Sequence, residues 1–196
     1  MVSPPAHQIE PFSDFIKQHR YVFWVILSIS IHKDNDVTFR VVDSGRKGRR
    51  LAEMLILPAT VGLKGPLGAG KTVVVRGMAE ALGVDPREVC SPSFVYLVEY
   101  EQASKRLFHG DLFRLGEVPE EQAEGVYSGI GLHEAMAAEA LSAIEWWEYY
   151  RGPTPERLVI VELEIENAED RTVKLEFLGG GLSPLASELA RVQSSK

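Results

Sequence analysis

A chain of 196 residues with 45% apolar content can bury one good core, and its length excludes two domains of equal size. A formal charge of -7 and a pI near 5.3 exclude a protein whose main business is gripping nucleic acid through its own surface. Cys90 is the only cysteine, which rules out an internal disulfide or a cysteine-built zinc site and fits a reducing cytosol. It is expected to be a small apolar side chain near a strand start.

In chain order, the first feature is 21-YVFWVILSISI-31, preceded by Lys17, His19 and Arg20. It is too short to span a bilayer. Glu10 and Asp14 stand where a leader would be basic, and no small-x-small cleavage site follows Ile31, so it reads as an extra strand or apolar arm. Left uncovered, this β-branched, aromatic run would be an aggregation hazard. Residues 1 to 36 are expected to be an N-terminal extension or the product of an over-extended start site. A single α/β domain is expected over 37 to 180, and a loose polar tail over 181 to 196.

From Val37 the pattern becomes orderly: a strand to Val42, then a helix near Gly45 to Leu55. Arg46, Lys47, Arg49 and Arg50 on that helix read as a solvated face before a binding patch. Ala59 to Leu63 is a short apolar strand. Then comes 62-GLKGPLGAGKT-72, in which Gly65, Gly70, Lys71 and Thr72 satisfy G-x-x-x-x-G-K-[ST]. Such a loop turns its backbone N–H groups inward around phosphates, here over Gly65, Pro66, Leu67, Gly68, Ala69 and Gly70. Lys71 would reach the terminal phosphates, and Thr72 would offer its hydroxyl to Mg²⁺. Val73, Val74, Val75, Met78, Ala79 and Leu82 follow at helical spacing, with Gly83 as the stop. Strand, loop, helix is the order this chemistry needs.

Next, 94-FVYLVEY-100 and 106-RLFHGDLF-113 suggest a hairpin about residues 101 to 105. Short helices and a loop are expected over 117 to 140, and 141-LSAIEWW-147 reads as a strand. Finally, 157-RLVIVELEIE-166 and 171-RTVKLEFLG-179 suggest a C-terminal hairpin about Asn167 to Asp170. Helices alternating with strands, then hairpins, predict a P-loop NTPase-like mixed sheet flanked by helices.

Hydrolysis needs carboxylates or hydroxyls to hold Mg²⁺ and position water. Asp111, at the end of a strand-like run, either reaches the metal or merely ends a strand. Glu145 ends an apolar stretch, the place of a Walker B acid, or belongs to an exposed acidic segment. The Ser93 hydroxyl either serves as a second ligand or completes an ordinary Ser-Pro-Ser turn. Trp146 and Trp147 could wall the pocket, with Trp146 the candidate nucleotide contact, or could be core. Arg114 either neutralises phosphate or makes an ion pair.

Read together, GPLGAGKT, SPSF, HGDLFRL and EW resemble the motif series of the TsaE family, formerly called the YjeE family. These are small bacterial ATPases needed for threonylcarbamoyladenosine modification of tRNA. The resemblance covers residues 37 to 178 and includes Arg76-Gly77 and Ala81 to Gly83. It implies that Gly65 to Thr72 carry the phosphates of ATP and that Thr72 binds Mg²⁺. Asp111 and Glu145 would be the acids on which hydrolysis depends, with Glu145, before Asp111, the metal ligand, directly or through water. Ser93 stands where the family usually has threonine and Trp147 where it often has proline, while Ser142 and Ala143 are lighter than the family's approach to the acid.

The resemblance also implies partners, the TsaB and TsaD proteins, which transfer a threonylcarbamoyl group to N6 of adenosine 37. Hydrolysis would reset that complex, tRNA would be met only indirectly, and the protein would be cytoplasmic without membrane contact. A small-molecule kinase is a second reading, weakened because 117 to 140 contains no arginine or lysine for a lid. A non-hydrolysing nucleotide-binding adaptor is a third, and the absence of an NKxD-type signature favours adenine over guanine.

Overall fold

The computed structural model describes residues 28–31, 36–41, 58–101, 106–167 and 171–179. Within them, eight strands form one mixed sheet: β1 (Ser28–Ile31), β2 (Asp36–Val41), β3 (Ala59–Lys64), β4 (Leu97–Tyr100), β5 (Leu107–Asp111), β6 (Leu141–Glu145), β7 (Arg157–Ile165) and β8 (Arg171–Gly179), in the order β1-β2-β8-β7-β3-β6-β5-β4. The middle strands β7, β3, β6 and β5 run parallel. Antiparallel strands complete both sides, β4 beyond β5, and β8, β2 and β1 beyond β7. The expected strand and helix around the phosphate loop, and both hairpins, are present. Ser28–Ile31, from the apolar run, pairs in register with β2.

Side-chain alternation explains why the parallel strands need cover on both faces. Val61 and Leu63 of β3, Leu141 and Ala143 of β6, and Val159, Val161 and Leu163 of β7 point to one side. There they bury the Val74, Val75, Met78 and Ala79 face of α1 (Lys71–Ala81). Ile144, Leu158 and Ile160 point to the other side, toward Trp147 and the apolar faces of α2 (Glu120–Gly129) and α3 (Leu132–Ala137). Gly62 is required on that second side: a Cβ there would lie 2.5 Å from the Trp147 ring. Helix α1 stops as expected, with Leu82 capping and Gly83 left-handed at φ 88°.

Several expectations need correction. The strand proposed over 94–100 begins only at Leu97, because the Pro92 carbonyl accepts the N–H groups of Val95 and Tyr96 (3.0 and 2.7 Å) and turns the chain. Phe94 and Val95 are consequently exposed. The run to Phe113 ends as a strand at Asp111, after which Phe113–Glu117 is a 3-10 turn. Cys90 is exposed and is no core residue. Ser142 and Ala143, light for the approach to Glu145, are both buried, and Ser142 Oγ donates to the Ala135 carbonyl at 2.7 Å, tying α3 to β6. The proposed helix over Gly45 to Leu55, its basic cluster and the turn of the last hairpin lie outside the described residues, apart from Asn167.

Candidate functional site

The phosphate loop leaves β3 in the middle of the sheet and enters α1 without an intervening turn. Its backbone is left-handed at three glycines, Gly65 (φ 132°), Gly68 (φ 79°) and Gly70 (φ 99°), conformations that side chains resist. At Gly65 a Cβ would also strike the Leu163 carbonyl. Pro66, Leu67 and Gly68 project into solvent while Ala69 is buried, so the loop is anchored on one side and open on the other. The first N–H groups of α1 thus face the mouth of the loop, where a helix end favours an anion.

Register then places the acids. In the parallel pairings, Leu63 of β3 and Asp111 of β5 both lie opposite Glu145 of β6, so the two carboxylates end adjacent strands level with the start of the loop. Glu145 and Asp111 are each only 3% exposed, which removes the surface-acid reading of both. Thr72 Oγ1 donates to Glu145 Oε1 at 2.8 Å, uniting the two residues expected to hold Mg²⁺. Asp111 Oδ1 accepts the Phe113 N–H at 2.9 Å.

Lys71 lies among these groups, with Nζ donating to the carbonyls of Gly65 (2.6 Å) and Pro66 (2.9 Å). Burial lowers its pKa below that of an ordinary lysine, and the charges of Glu145, Glu148 and Asp111 oppose that shift. The same ammonium sits 3.6 Å from the centre of the Trp146 ring, a cation–π contact. Trp146 holds this place in the left-handed region at φ 59°, unusual for so large a residue. Its ring also packs on Phe113 (4.9 Å) and Tyr149 (6.0 Å). Trp146 therefore walls the site, while Trp147 is core.

Ser93 is less direct than expected. Its Oγ lies 3.0 Å from Ser91 Oγ, and it is Ser91 that hydrogen-bonds Asp111 Oδ2. Arg114 is exposed with its guanidinium over Phe94 (5.3 Å), outside any ion pair among the described residues. Sequence reasoning gave no role to Ser91 or to His109, which is fully buried with Nε2 at 2.8 Å from Glu145 Oε1. A signal for His109 existed: on a strand, positions two apart share a face, so it had to stand on the side of Asp111. Among the described residues no group of three His, Cys, Asp or Glu side chains could hold a metal by itself. The donor set is instead one hydroxyl and one carboxylate beside a phosphate loop, which suits Mg²⁺ shared with a nucleotide.

The family model described as "Threonylcarbamoyl adenosine biosynthesis protein TsaE" matches residues 41–173. The chain is similar to the tRNA threonylcarbamoyladenosine biosynthesis protein TsaE of Haemophilus influenzae, 35% identical over 124 residues, 61% of this chain and 74% of that protein. It is also similar to the protein of the same name from Aquifex aeolicus, 31% identical over 134 residues, 68% and 88% of the two chains. Among solved structures, Bacillus subtilis YdiB aligns with a TM-score of 0.61 over 83% of this chain and 99% of the other, at 22% identity, a likeness of P-loop NTPase-like fold.

Proposed function

This chain belongs to the TsaE family, proteins of tRNA threonylcarbamoyladenosine biosynthesis, and from that premise we propose that it is a Mg²⁺-dependent ATPase that resets a complex of TsaB- and TsaD-type partners between turnovers. The observation that carries the reading is the hydrogen bond from Thr72 Oγ1 to Glu145 Oε1, 2.8 Å long and set at the mouth of a glycine loop. A hydroxyl that gives its hydrogen to the carboxylate keeps its lone pairs for a cation, and the carboxylate holds the opposite charge beside it. Bound Mg²⁺ would neutralise charge on the phosphates during transfer to water.

The remaining roles follow from the groups present. The loop N–H groups and the start of α1 bind the phosphates. Lys71 exchanges its loop carbonyls for phosphate oxygens, a step favoured because carbonyl dipoles hold an ammonium less strongly than full anionic charge does. Asp111, tied to Ser91 and to the Phe113 N–H, orients the attacking water or the metal's waters. Trp146 walls the nucleotide. Coupling to partners follows if loops around the phosphates reorder on hydrolysis. The acidic chain leaves tRNA to those partners.

The test is ATP hydrolysis by the purified chain, alone and with TsaB- and TsaD-type proteins of the same source and tRNA. Stimulation by the partners, abolished in Glu145→Ala while nucleotide binding persists, is the expected result. Turnover unchanged in both Glu145→Ala and Asp111→Ala would overturn the site assignment, whereas nucleotide binding without any turnover would leave a nucleotide-binding adaptor.

A further inference from the structure

His109 is buried at 0% exposure in the centre of β5, next to the edge strand β4, facing the α1 side together with Asp111. Its Nε2 lies 2.8 Å from Glu145 Oε1, while its Nδ1 is buried without a hydrogen-bond partner among the described residues. As a packing residue this histidine is a poor choice. An unpaired polar atom in the core is unfavourable, and an apolar side chain of similar volume would avoid that cost. What an apolar residue could not supply is the contact to Glu145.

An ionised carboxylate only accepts, so the imidazole nitrogen that meets it carries the hydrogen and donates. Glu145 Oε1 thereby takes two donors, His109 Nε2 from the core side and Thr72 Oγ1 from the loop side, each at 2.8 Å. Two fixed donors on one oxygen prevent the carboxylate from rotating, and no hydrogen bond among the described residues engages Oε2. Through the Thr72 hydrogen bond the same restraint aims the hydroxyl's lone pairs.

We infer that His109 is a positioning residue for the cation site: its Nε2–H fixes the Glu145 carboxylate, and through it the Thr72 hydroxyl, in the arrangement that receives Mg²⁺. This rests on the Mg²⁺-dependent reading of the site proposed above. Partners that orient a ligand from outside the coordination sphere usually change metal affinity by about 10- to 100-fold when removed.

Two polar variants separate positioning from packing. His109→Gln places an amide nitrogen where Nε2 stood, whereas His109→Asn places it where Nδ1 stood, out of reach of Glu145. Binding of ADP by calorimetry, in excess Mg²⁺ and in EDTA, reads the metal's contribution as a ratio of affinities. In EDTA both variants should match the unsubstituted protein, which also shows that they fold. The Mg²⁺-dependent gain should persist in His109→Gln and fall about tenfold in His109→Asn.

An unchanged gain in His109→Asn, or an equal loss in both variants, would overturn the assignment. A lack of any Mg²⁺-dependent gain in the unsubstituted protein would instead overturn the metal reading on which it rests. Should a variant fold poorly, ¹⁵N-histidine NMR of the unsubstituted chain decides. The Nε2–H tautomer should be present and its shift should move with Mg²⁺ and ADP but not with ADP in EDTA; an unresponsive ring, or the other tautomer, would sink the inference.

Discussion

The carboxyl end of the parallel strands and the β7–β8 hairpin use the same residue types to opposite ends. At the strand ends Lys71, Asp111 and Glu145 are 5%, 3% and 3% exposed, crowded under Trp146 and the phosphate loop. On the hairpin Lys174 meets Glu162 at 3.9 Å and also pairs with Glu164, every side chain nearly half exposed. Water solvates the second set whatever its partners do. The first set is desolvated, so each charge depends on fixed neighbours and the arrangement costs stability. Strain follows the same division: the two non-glycine residues with positive φ, Tyr96 and Trp146, both border the buried charges among the described residues.

The largest expected effect that sharpens this contrast is on activity. Asp111→Asn keeps shape and removes charge, and should lower partner-stimulated hydrolysis by roughly 10²-fold or more, read as kcat at saturating ATP. Its melting temperature should hold or rise, since a buried charge has been removed; a clear fall in stability would mean that Asp111 is chiefly structural.

Next in size is a packing change beside the site. Trp147→Ala should destabilise the fold by about 3–5 kcal/mol, because the ring fills the space over Gly62 and packs on Tyr150 at 4.4 Å. Denaturant unfolding would measure it, and a loss under about 1 kcal/mol would show that the second face of the sheet is less tightly packed than the geometry requires. Removing the Ser91 hydroxyl by Ser91→Ala should slow hydrolysis more than Ser93→Ala does, because Ser93 reaches Asp111 only through Ser91. The reverse order in kcat would restore Ser93 as the direct participant. The smallest effect belongs to the hairpin: Lys174→Ala should change stability by less than about 1 kcal/mol, and added salt should reduce even that. A larger change would erase the distinction between the two regions.

Local features were legible in proportion to how contiguous they are. The strand from Ala59 to Leu63, one residue short of the observed β3, the loop, and a helix stopped at Gly83 could be read directly, as could the hairpin of β7 and β8. Phe94 to Tyr96 misled because their aromatic and β-branched composition suits a strand, while the Pro92 carbonyl decides the turn through hydrogen bonds that composition does not encode. Asp111 and Glu145 each carried two readings that nothing local could separate.

The sequence by itself determined the conformation of the glycine loop between β3 and α1, because that loop is built from consecutive residues whose glycines alone permit the required φ. It also determined the alternating strands that demand helices on both faces. Only the tertiary structure decided which acids meet the loop. Parallel register sets Leu63 and Asp111 level with Glu145, and burial turns a strand-end carboxylate, a threonine and a histidine from separate segments into one hydrogen-bonded set. That outcome rests on pairing between strands distant in the chain, which is fixed by packing of the whole sheet and not by any stretch within it.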